Sequence, residues 1–401
     1  MAVLEASSPP VADTRRVSAA VAAAGLSSFA LLYAPQPVLP QLAAAYRLDP
    51  GSASLAIGVA TASLAVAVLP LAWLAGIVGR RRVILWSVLV SAVIGLLLPL
   101  APSFPALLVM RGVQGVAIAG FAGVAAAYLA DQVGTARLAG AVGAMIAGNS
   151  VGGMLGRLGA GFAAEPLGWH GALVAVAGVS LVCAIFTAVT LPGTQKASSP
   201  GPAAGDGLPD GRVRLGFGLV APVAVGALGM GAFVALYNAA GFRLAAPPIE
   251  LAPAAASLVF LSYALGTVTS AAAGRLADRL GRTPALVTAL VVTVAGSALT
   301  AAPSLPVIAL GFAVLTGGFF AAHAIANAWA TADAPPPARG RAAGIYTLCY
   351  YLGSGVGGTL GGIVYGHAGW TWLIVMTSAW LLLAALTVLL VRRVRRRPVP
   401  A

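Results

Sequence analysis

The chain has 401 residues, of which 60% are hydrophobic and only 8% charged, and its mean hydropathy is +0.95. A water-soluble protein carries about 25% charged residues, so this composition excludes a soluble globular domain and describes an integral membrane protein. The formal net charge of +13 does not point to nucleic acid, because the basic residues stand in short clusters between apolar runs.

A spanning helix needs about 20 apolar residues. Twelve such runs are predicted, at about 18–40, 53–78, 83–101, 106–129, 138–163, 171–191, 216–240, 254–277, 284–302, 306–330, 342–365 and 370–391. The residues before Val17 read as a short cytoplasmic tail. The run after Arg15-Arg16 is too long for the core of a signal peptide and more spans follow, so it is read as an uncleaved first helix. Pro35, Pro37 and Pro40 free carbonyls near the outer end of that helix and allow a bend there, which fits an outer gate or simply ends the helix. The longest break, 192–213, is rich in Pro, Gly, Ser and Asp and reads as a flexible linker. Three domains follow: a six-helix bundle over 1–191, the linker at 192–213, and a second six-helix bundle with a basic tail over 214–401. The two cysteines, Cys183 and Cys349, fall inside apolar runs and read as small packing residues. No His, Cys or acidic cluster has metal-ligand spacing, so no metal and no cofactor are expected.

Arginine placement sets the orientation. The ends and connections holding Arg15–Arg16, Arg80–Arg82, Arg137, Arg212, Arg275–Arg282, Arg339–Arg341 and Arg392–Arg397 all fall on one side, while only Arg47 and Arg243 fall on the other. The positive-inside rule puts both termini in the cytoplasm, as an even number of spans requires.

The two halves repeat each other. Val151-Gly-Gly-Met-Leu-Gly156 matches Val356-Gly-Gly-Thr-Leu-Gly361, Leu32-Tyr33 matches Leu236-Tyr237, Arg137 and Gly140 match Arg341 and Gly344, and Gly79-Arg80 matches Gly281-Arg282. Separations of 202–205 residues across most of the chain mark a true internal repeat. Two parallel six-helix repeats about an axis normal to the membrane are a transporter plan. The expected fold is therefore an all-α membrane protein of twelve transmembrane helices in two pseudo-symmetric bundles. Because the glycine runs at 152–156 and 353–362 recur in both halves, the helices carrying them are expected to pack across the central axis against the opposite half.

The densely charged turn Gly274-Arg-Leu-Ala-Asp-Arg-Leu-Gly-Arg282 resembles the loop motif between the second and third helices of a half in the major facilitator superfamily. Arg111-Gly-Val-Gln-Gly115 resembles a second motif of that superfamily. Tyr33-Ala-Pro-Gln-Pro-Val-Leu-Pro40, with Gly148-Asn-Ser-Val-Gly-Gly-Met-Leu-Gly-Arg157, is similar to the bacterial efflux-type branch, which includes drug- and sugar-efflux relatives. The resemblance runs over essentially the whole chain. It implies rocker-switch export of a small organic, amphiphilic or drug-like molecule, often driven by protons, from a bacterial inner membrane. The first-half loop departs from the pattern, with Gly76 where the second half has Asp278 and Ile77 where it has Arg279. A charge-paired gate is therefore expected to be weaker in the first half. The fifth helix reads Gly152-Gly153 without the Gly-Pro pair usual in drug antiporters.

Ionisable groups inside a span are costly and mark function. Arg111, in the fourth span, and Arg157, in the fifth, can bind an anionic group of a substrate, or can snorkel outward and bond helix-end carbonyls. No carboxylate falls mid-span. His323 is the mid-helix group that titrates near neutrality and can carry a proton, or can be a neutral histidine bonded to a neighbouring helix. By resemblance, substrate-binding candidates are Tyr33, Gln36, Arg111, Gln114, Asn149, Tyr237, Asn238, His323 and Asn327. Gating candidates are Arg80, Gly274, Asp278, Arg279, Gly281 and Arg282. No catalytic residue is expected. The expected partners are a small-molecule substrate, protons and the lipid bilayer, with the chain acting as a monomer. Alternatives are a uniporter or exchanger of an anionic metabolite or sugar and, from another class, a membrane enzyme or non-transporting receptor.

Overall fold

A computed structural model describes residues 14–133, 135–192, 216–335 and 338–396. The predicted tail before Val17 and the linker at 192–213 lie almost entirely outside these residues. The described chain is helical, with no strand among the described residues. Its α-helices are α1 Thr14–Tyr33, α2 Leu39–Tyr46, α3 Pro50–Val78, α4 Arg80–Leu97, α5 Phe104–Gln132, α6 Thr135–Thr190, α7 Val220–Ala245, α8 Pro253–Ser257, α9 Ser262–Leu280, α10 Arg282–Leu299, α11 Leu305–Ala332 and α12 Arg339–Arg396.

Among the described residues ten helical stretches, rather than twelve, are long and apolar enough to cross a membrane. The difference lies in α6 and α12, which run 56 and 58 residues. At about 1.5 Å per residue each is more than twice as long as a bilayer core is thick. Each breaks at one glycine in a non-helical conformation, Gly168 at φ 65° and Gly369 at φ 78°. The connections expected at these places shrink to a kink that a side chain would strain. Pro166 stands two residues before the first.

Local chemistry sets the other ends. Asp49 caps α3 by accepting from the Gly51 and Ser52 amides at 2.8 and 3.0 Å. Hydrogen bonds from Ser52 and these amides hold its carboxyl below the usual range. Pro50 follows at the first helical position. The prolines at 35, 37 and 40 end α1 at Tyr33 and leave a short 3₁₀ turn, Gln36–Val38, before α2. That break turns Gln36 into the interior, where it is buried.

Pseudo-symmetry is visible in the contacts. Gly79 joins α3 to α4 at φ 98°, and Gly281 joins α9 to α10 at φ 83°. Arg80 then pairs with Asp131 at the end of α5, and Arg282 pairs with Asp333 just past α11 at 2.7 Å. Both partners are displaced by the same 202 residues. The first half thus keeps an ion pair of the same kind as the second, although its loop lacks the acid and arginine of Asp278-Arg279.

The glycines at four-residue spacing in these runs face their own half, which corrects the expected packing across the axis in part. A Cβ on Gly148, Gly152 or Gly156 would stand 2.3 to 2.5 Å from Ala22, Leu26 or Ala30 of α1. On Gly353, Gly357 or Gly361 it would stand 2.2 to 2.4 Å from Ala227, Gly231 or Ala235 of α7. Every member of the first set reappears 205 residues later. Small residues here let main chains touch, which is how helices associate where lipid removes the hydrophobic drive. Other glycines of these helices, Gly355 and Gly362 of the second run among them, do cross between halves as expected. A Cβ on Gly362 would meet Pro50 and Gly51 of α3, and one on Gly355 would meet Gly58 of α3. One on Gly161 would meet Ser257 of α8 at 2.2 Å.

Candidate functional site

The two halves meet tightly at the arginine-poor end. The 3₁₀ turn after α1 supplies Gln36, whose Nε2 donates to Asn238 Oδ1 of α7 at 2.7 Å. The Gln36 Oε1 accepts from Arg157 Nε at 2.5 Å. Arg157 folds back along α6 so that Nη1 donates to the Gly153 carbonyl at 2.7 Å. A Cβ on Gly153 would stand 3.2 Å from that nitrogen, so glycine leaves the room this fold-back uses. The guanidinium carbon lies 3.9 Å from the centre of the Tyr33 ring, 4.6 Å from Tyr263 and 5.4 Å from Phe260. Tyr33 belongs to the first half, Tyr263 and Phe260 to the second. Cation–π attraction of this kind contributes about 0.5–2 kcal/mol per contact, more as water is excluded.

Arg157 lies deeper than the sequence suggests. The fifth span is predicted to end at 163, whereas the helix continues to its break at Gly168. Eleven residues at about 1.5 Å each put the arginine about 16 Å from that break, about three helical turns inside the helix. It is only 3% exposed. The ion pairs found among the described residues are both at the arginine-rich end, so no carboxylate neutralises this charge there. Asn238 is also incompletely satisfied, because its Nδ2 is buried without a partner.

The other arginine has a different environment. Arg111 of α5 is fully buried. Its Nε donates to the Ala56 carbonyl of α3 at 2.7 Å, and its Nη atoms donate to the Leu31 and Leu32 carbonyls of α1 at 3.1 and 2.6 Å. Gln114 accepts from it at 2.5 Å and itself donates to the Ser91 carbonyl of α4 at 2.8 Å. Arg111 and Gln114 thus tie four helices of the first half together.

The remaining candidates separate into groups. Tyr237 is buried in the second half, with its hydroxyl between Ser262 and Thr316 at 2.5 and 2.6 Å. His323 is half-buried on α11, with Nδ1 2.8 Å from the Tyr346 hydroxyl. Its ring lies 4.6 Å from Tyr350, which also touches Tyr351. Asn149 packs on α1 at Gly25, with Oδ1 buried and unpartnered. Asn327 is exposed on α11. Tyr263, Phe260 and Tyr351 are not among the candidates that the sequence offers, because single aromatics in apolar runs carry no pattern.

Toward the arginine-rich end open space lies beside α6 and α9, while α12 stays near α3, a Cβ on Gly344 standing 3.3 Å from Leu69. A Cβ on Gly140 or Gly143 of α6, or on Gly274 of α9, would find no other atom within 4 Å. Gly274, Asp278, Arg279, Gly281 and Arg282 are all exposed there, and Arg282 also lies 5.4 Å from the Trp329 ring. Asp278 has no hydrogen bond or ion pair among the described residues. A separate cavity of about 640 Å³ lies among α9, α10 and α11, with Arg275 and Arg279 in its wall. None of the residues around Arg157 line it.

The junction sets an expectation for Gln36→Ala. The substitution removes both the bond to Asn238 and an acceptor for Arg157. Hydrogen bonds between membrane helices average about 0.6 kcal/mol and reach about 1.7 kcal/mol. The ratio of molecules closed to open at this end should fall roughly three- to twentyfold. Alkylation rates of a cysteine at Leu244, which is buried here, would read the change.

A sequence profile described as Major Facilitator Superfamily matches residues 21–235 and 228–401. The chain belongs to this superfamily. It is 32% identical over 379 residues to a protein of Bacillus subtilis named "Uncharacterized MFS-type transporter YybF", with 92% of each chain covered. It is 34% identical over 378 residues to "Inner membrane transport protein YnfM" of Escherichia coli, covering 92% of this chain and 89% of that one. The superfamily fold also appears in a solved bacterial homologue of the human lysosomal transporter Spinster, described as inward-facing and unoccupied. That structure superposes with a TM-score of 0.79 at 18% identity, over 98% of this chain and all of that one. A transporter superfamily and transporter relatives make this a multi-pass membrane transporter of a small molecule, and they remove the membrane-enzyme and receptor alternatives.

Proposed function

We propose that this superfamily member exports a small amphiphilic organic molecule by alternating access, in exchange for protons, as a monomer in a bacterial plasma membrane. One observation carries the reading. The halves are bound together at the arginine-poor end through Arg157, Gln36 and Asn238, and open space lies beside α6 and α9 at the other end. With the arginine-rich end and both termini placed in the cytoplasm by the positive-inside rule, this is a carrier open to the cell interior, ready to load an exported molecule. The name of the Escherichia coli relative, an inner membrane transport protein, supports the location. Half-buried Tyr263 beside Arg157, and half-buried Tyr350 beside His323, favour a molecule with an apolar body and a few polar groups.

Among the described residues, acids stand at helix ends or in connections, which leaves His323 as the proton-carrying group within a span. A second reading, exchange of an anionic metabolite or sugar without protons, is favoured by the unneutralised Arg157. Flux into reconstituted vesicles, with and without an imposed pH gradient, separates the two. Proton-coupled export predicts that the gradient accelerates at least one transported compound. Flux indifferent to the gradient for every transported compound rejects it. No saturable flux above protein-free vesicles rejects transport itself.

The Gly274–Arg282 turn is read as part of the cytoplasmic gate. Its acid lacks a partner in the inward-open arrangement, so its partner belongs to the state closed on that side. Asp278→Asn should lower turnover about fivefold or more, the equivalent of about 1 kcal/mol of one state's stability. Gly76→Ala should leave turnover near wild type, because a Cβ there meets no atom within 4 Å. Equal losses at the two positions, in the same vesicle assay, would show that the gate is not held from the second half.

A further inference from the structure

We infer that Arg157 is the receptor for an acidic group on the substrate, and that taking up this group is the step that frees the closure between the halves. The inference rests on the alternating-access reading above and names the substrate class: a monoanion, such as a carboxylate, carried on an aromatic or aliphatic body.

Four observations point the same way. Arg157 is nearly fully buried within a membrane-spanning helix and meets no carboxylate among the described residues. A guanidinium stays charged in a protein, so a counter-charge is missing. Its neutral acceptors are Gln36 Oε1 and the Gly153 carbonyl, and Nη2 has no hydrogen-bond partner among the described residues. One more acceptor site is therefore available on the guanidinium edge. The Tyr33, Tyr263 and Phe260 rings stand around the group, so an apolar body attached to an incoming acid would meet aromatic surface.

The acceptor that holds Arg157 is also the side chain that joins the halves. The Gln36 oxygen takes Arg157, and its nitrogen holds Asn238 in the other half. A carboxylate binds a guanidinium in a planar two-point geometry that an amide oxygen cannot match, and charge-assisted bonds are about twice as strong. An acid that takes the Nε and Nη2 edge displaces the Gln36 oxygen. The Gln36 amide then loses the anchor that points its nitrogen at Asn238. Asn238 is already poised to move, because its own Nδ2 is buried and unpartnered. Anion binding and closure of the arginine-poor end thus compete for one side chain. A ligand shifts a conformational equilibrium only through such a difference in affinity between states. No protein carboxylate needs to titrate for this coupling.

The test uses the full chain in lipid nanodiscs and a probe panel of benzoate, 4-hydroxybenzoate and octanoate with their three neutral amides. Melting shifts read binding, and spin labels at Ala45 and Glu250, both exposed near the arginine-poor end, read opening. The expected result is that at least one acid binds while its amide does not, and that its binding lengthens the label distance. Arg157→Gln should weaken that acid at least tenfold. Gln36→Glu, nearly identical in shape, should do the same by giving Arg157 a carboxylate of its own. It also serves as the reporter if Arg157→Gln fails to fold. The inference is overturned if no acid binds, if amides bind as well as acids, if both variants keep wild-type affinity, or if acid binding leaves the label distance unchanged. Acids that bind and open the junction but are never carried in vesicles would instead count against transport. Transport limited to neutral compounds, and insensitive to Arg157→Gln, would leave transport standing and remove the anion site.

Discussion

Replacing Arg111 with alanine should cost this protein most of its folded, monodisperse population in detergent. The side chain donates to main-chain carbonyls of α1 and α3 and to Gln114 while fully buried. Alanine leaves a cavity, at least three carbonyls and one amide oxygen without these donors, and each such loss costs about 1–3 kcal/mol. A sum of that order rivals the whole stability of many proteins. Lysine keeps the charge but gathers its donors on one nitrogen, so it cannot reach both helices in the same geometry. Arg111→Lys should therefore melt between wild type and Arg111→Ala. Fluorescence-detected size-exclusion chromatography with a temperature ramp checks the order. If Arg111→Ala melts like wild type while losing substrate binding, Arg111 belongs to the binding site and not to the frame of the first half.

Gly357→Leu is expected to be the second most damaging single change. The first side-chain atom would stand 2.3 Å from Gly231 Cα and 2.6 Å from its carbonyl oxygen. Both are main-chain atoms and cannot rotate away. Separating α7 from α12 by the width of a side chain would also pull apart Gly353 from Ala227 and Gly361 from Ala235, one turn to either side. Overpacking of an interior costs about 1–3 kcal/mol even where side chains can yield, and here none can. Gly143→Leu is the matched control, since nothing else stands within 4 Å of its Cβ position. A melting-temperature drop confined to position 357 fits close main-chain packing, and equal drops at both would attribute the loss to the helix glycines themselves.

The class of protein was plain from composition, and the repeat was readable from Gly79-Arg80 and Gly281-Arg282. The ion pairs those residues make carry one signal in the sequence, that Asp131 and Asp333 stand at the same offset of 202 residues. The glycine runs were readable as close-packing surfaces, but not as to which neighbour they touch. Each such helix carries glycines on several faces. The face with the strict four-residue spacing turns to its own half, while Gly161, Gly355 and Gly362 cross. The junction around Arg157 lay furthest from view. Gln36 and Asn238 were singled out as separate polar residues, but the bond between them joins positions 202 residues apart, and nothing local encodes it. The aromatic neighbours Phe260 and Tyr263 looked like ordinary apolar-run residues, because what distinguishes them is the arginine that arrives from another helix.

The central claim is that closure at the arginine-poor end and opening at the arginine-rich end are two readings of one motion, held by the Gln36 junction. Pulsed electron resonance on two label pairs tests it in wild type and Gln36→Ala, both in nanodiscs. One pair is Ala45 with Glu250, and the other is Gly140 with Gly274, all exposed. Wild type should show a short distance at the first pair and a long one at the second. In Gln36→Ala a fraction of molecules should lengthen at the first pair and shorten at the second by the same population. A change at the first pair with none at the second would mean that the junction is a local contact and not the hinge of alternating access.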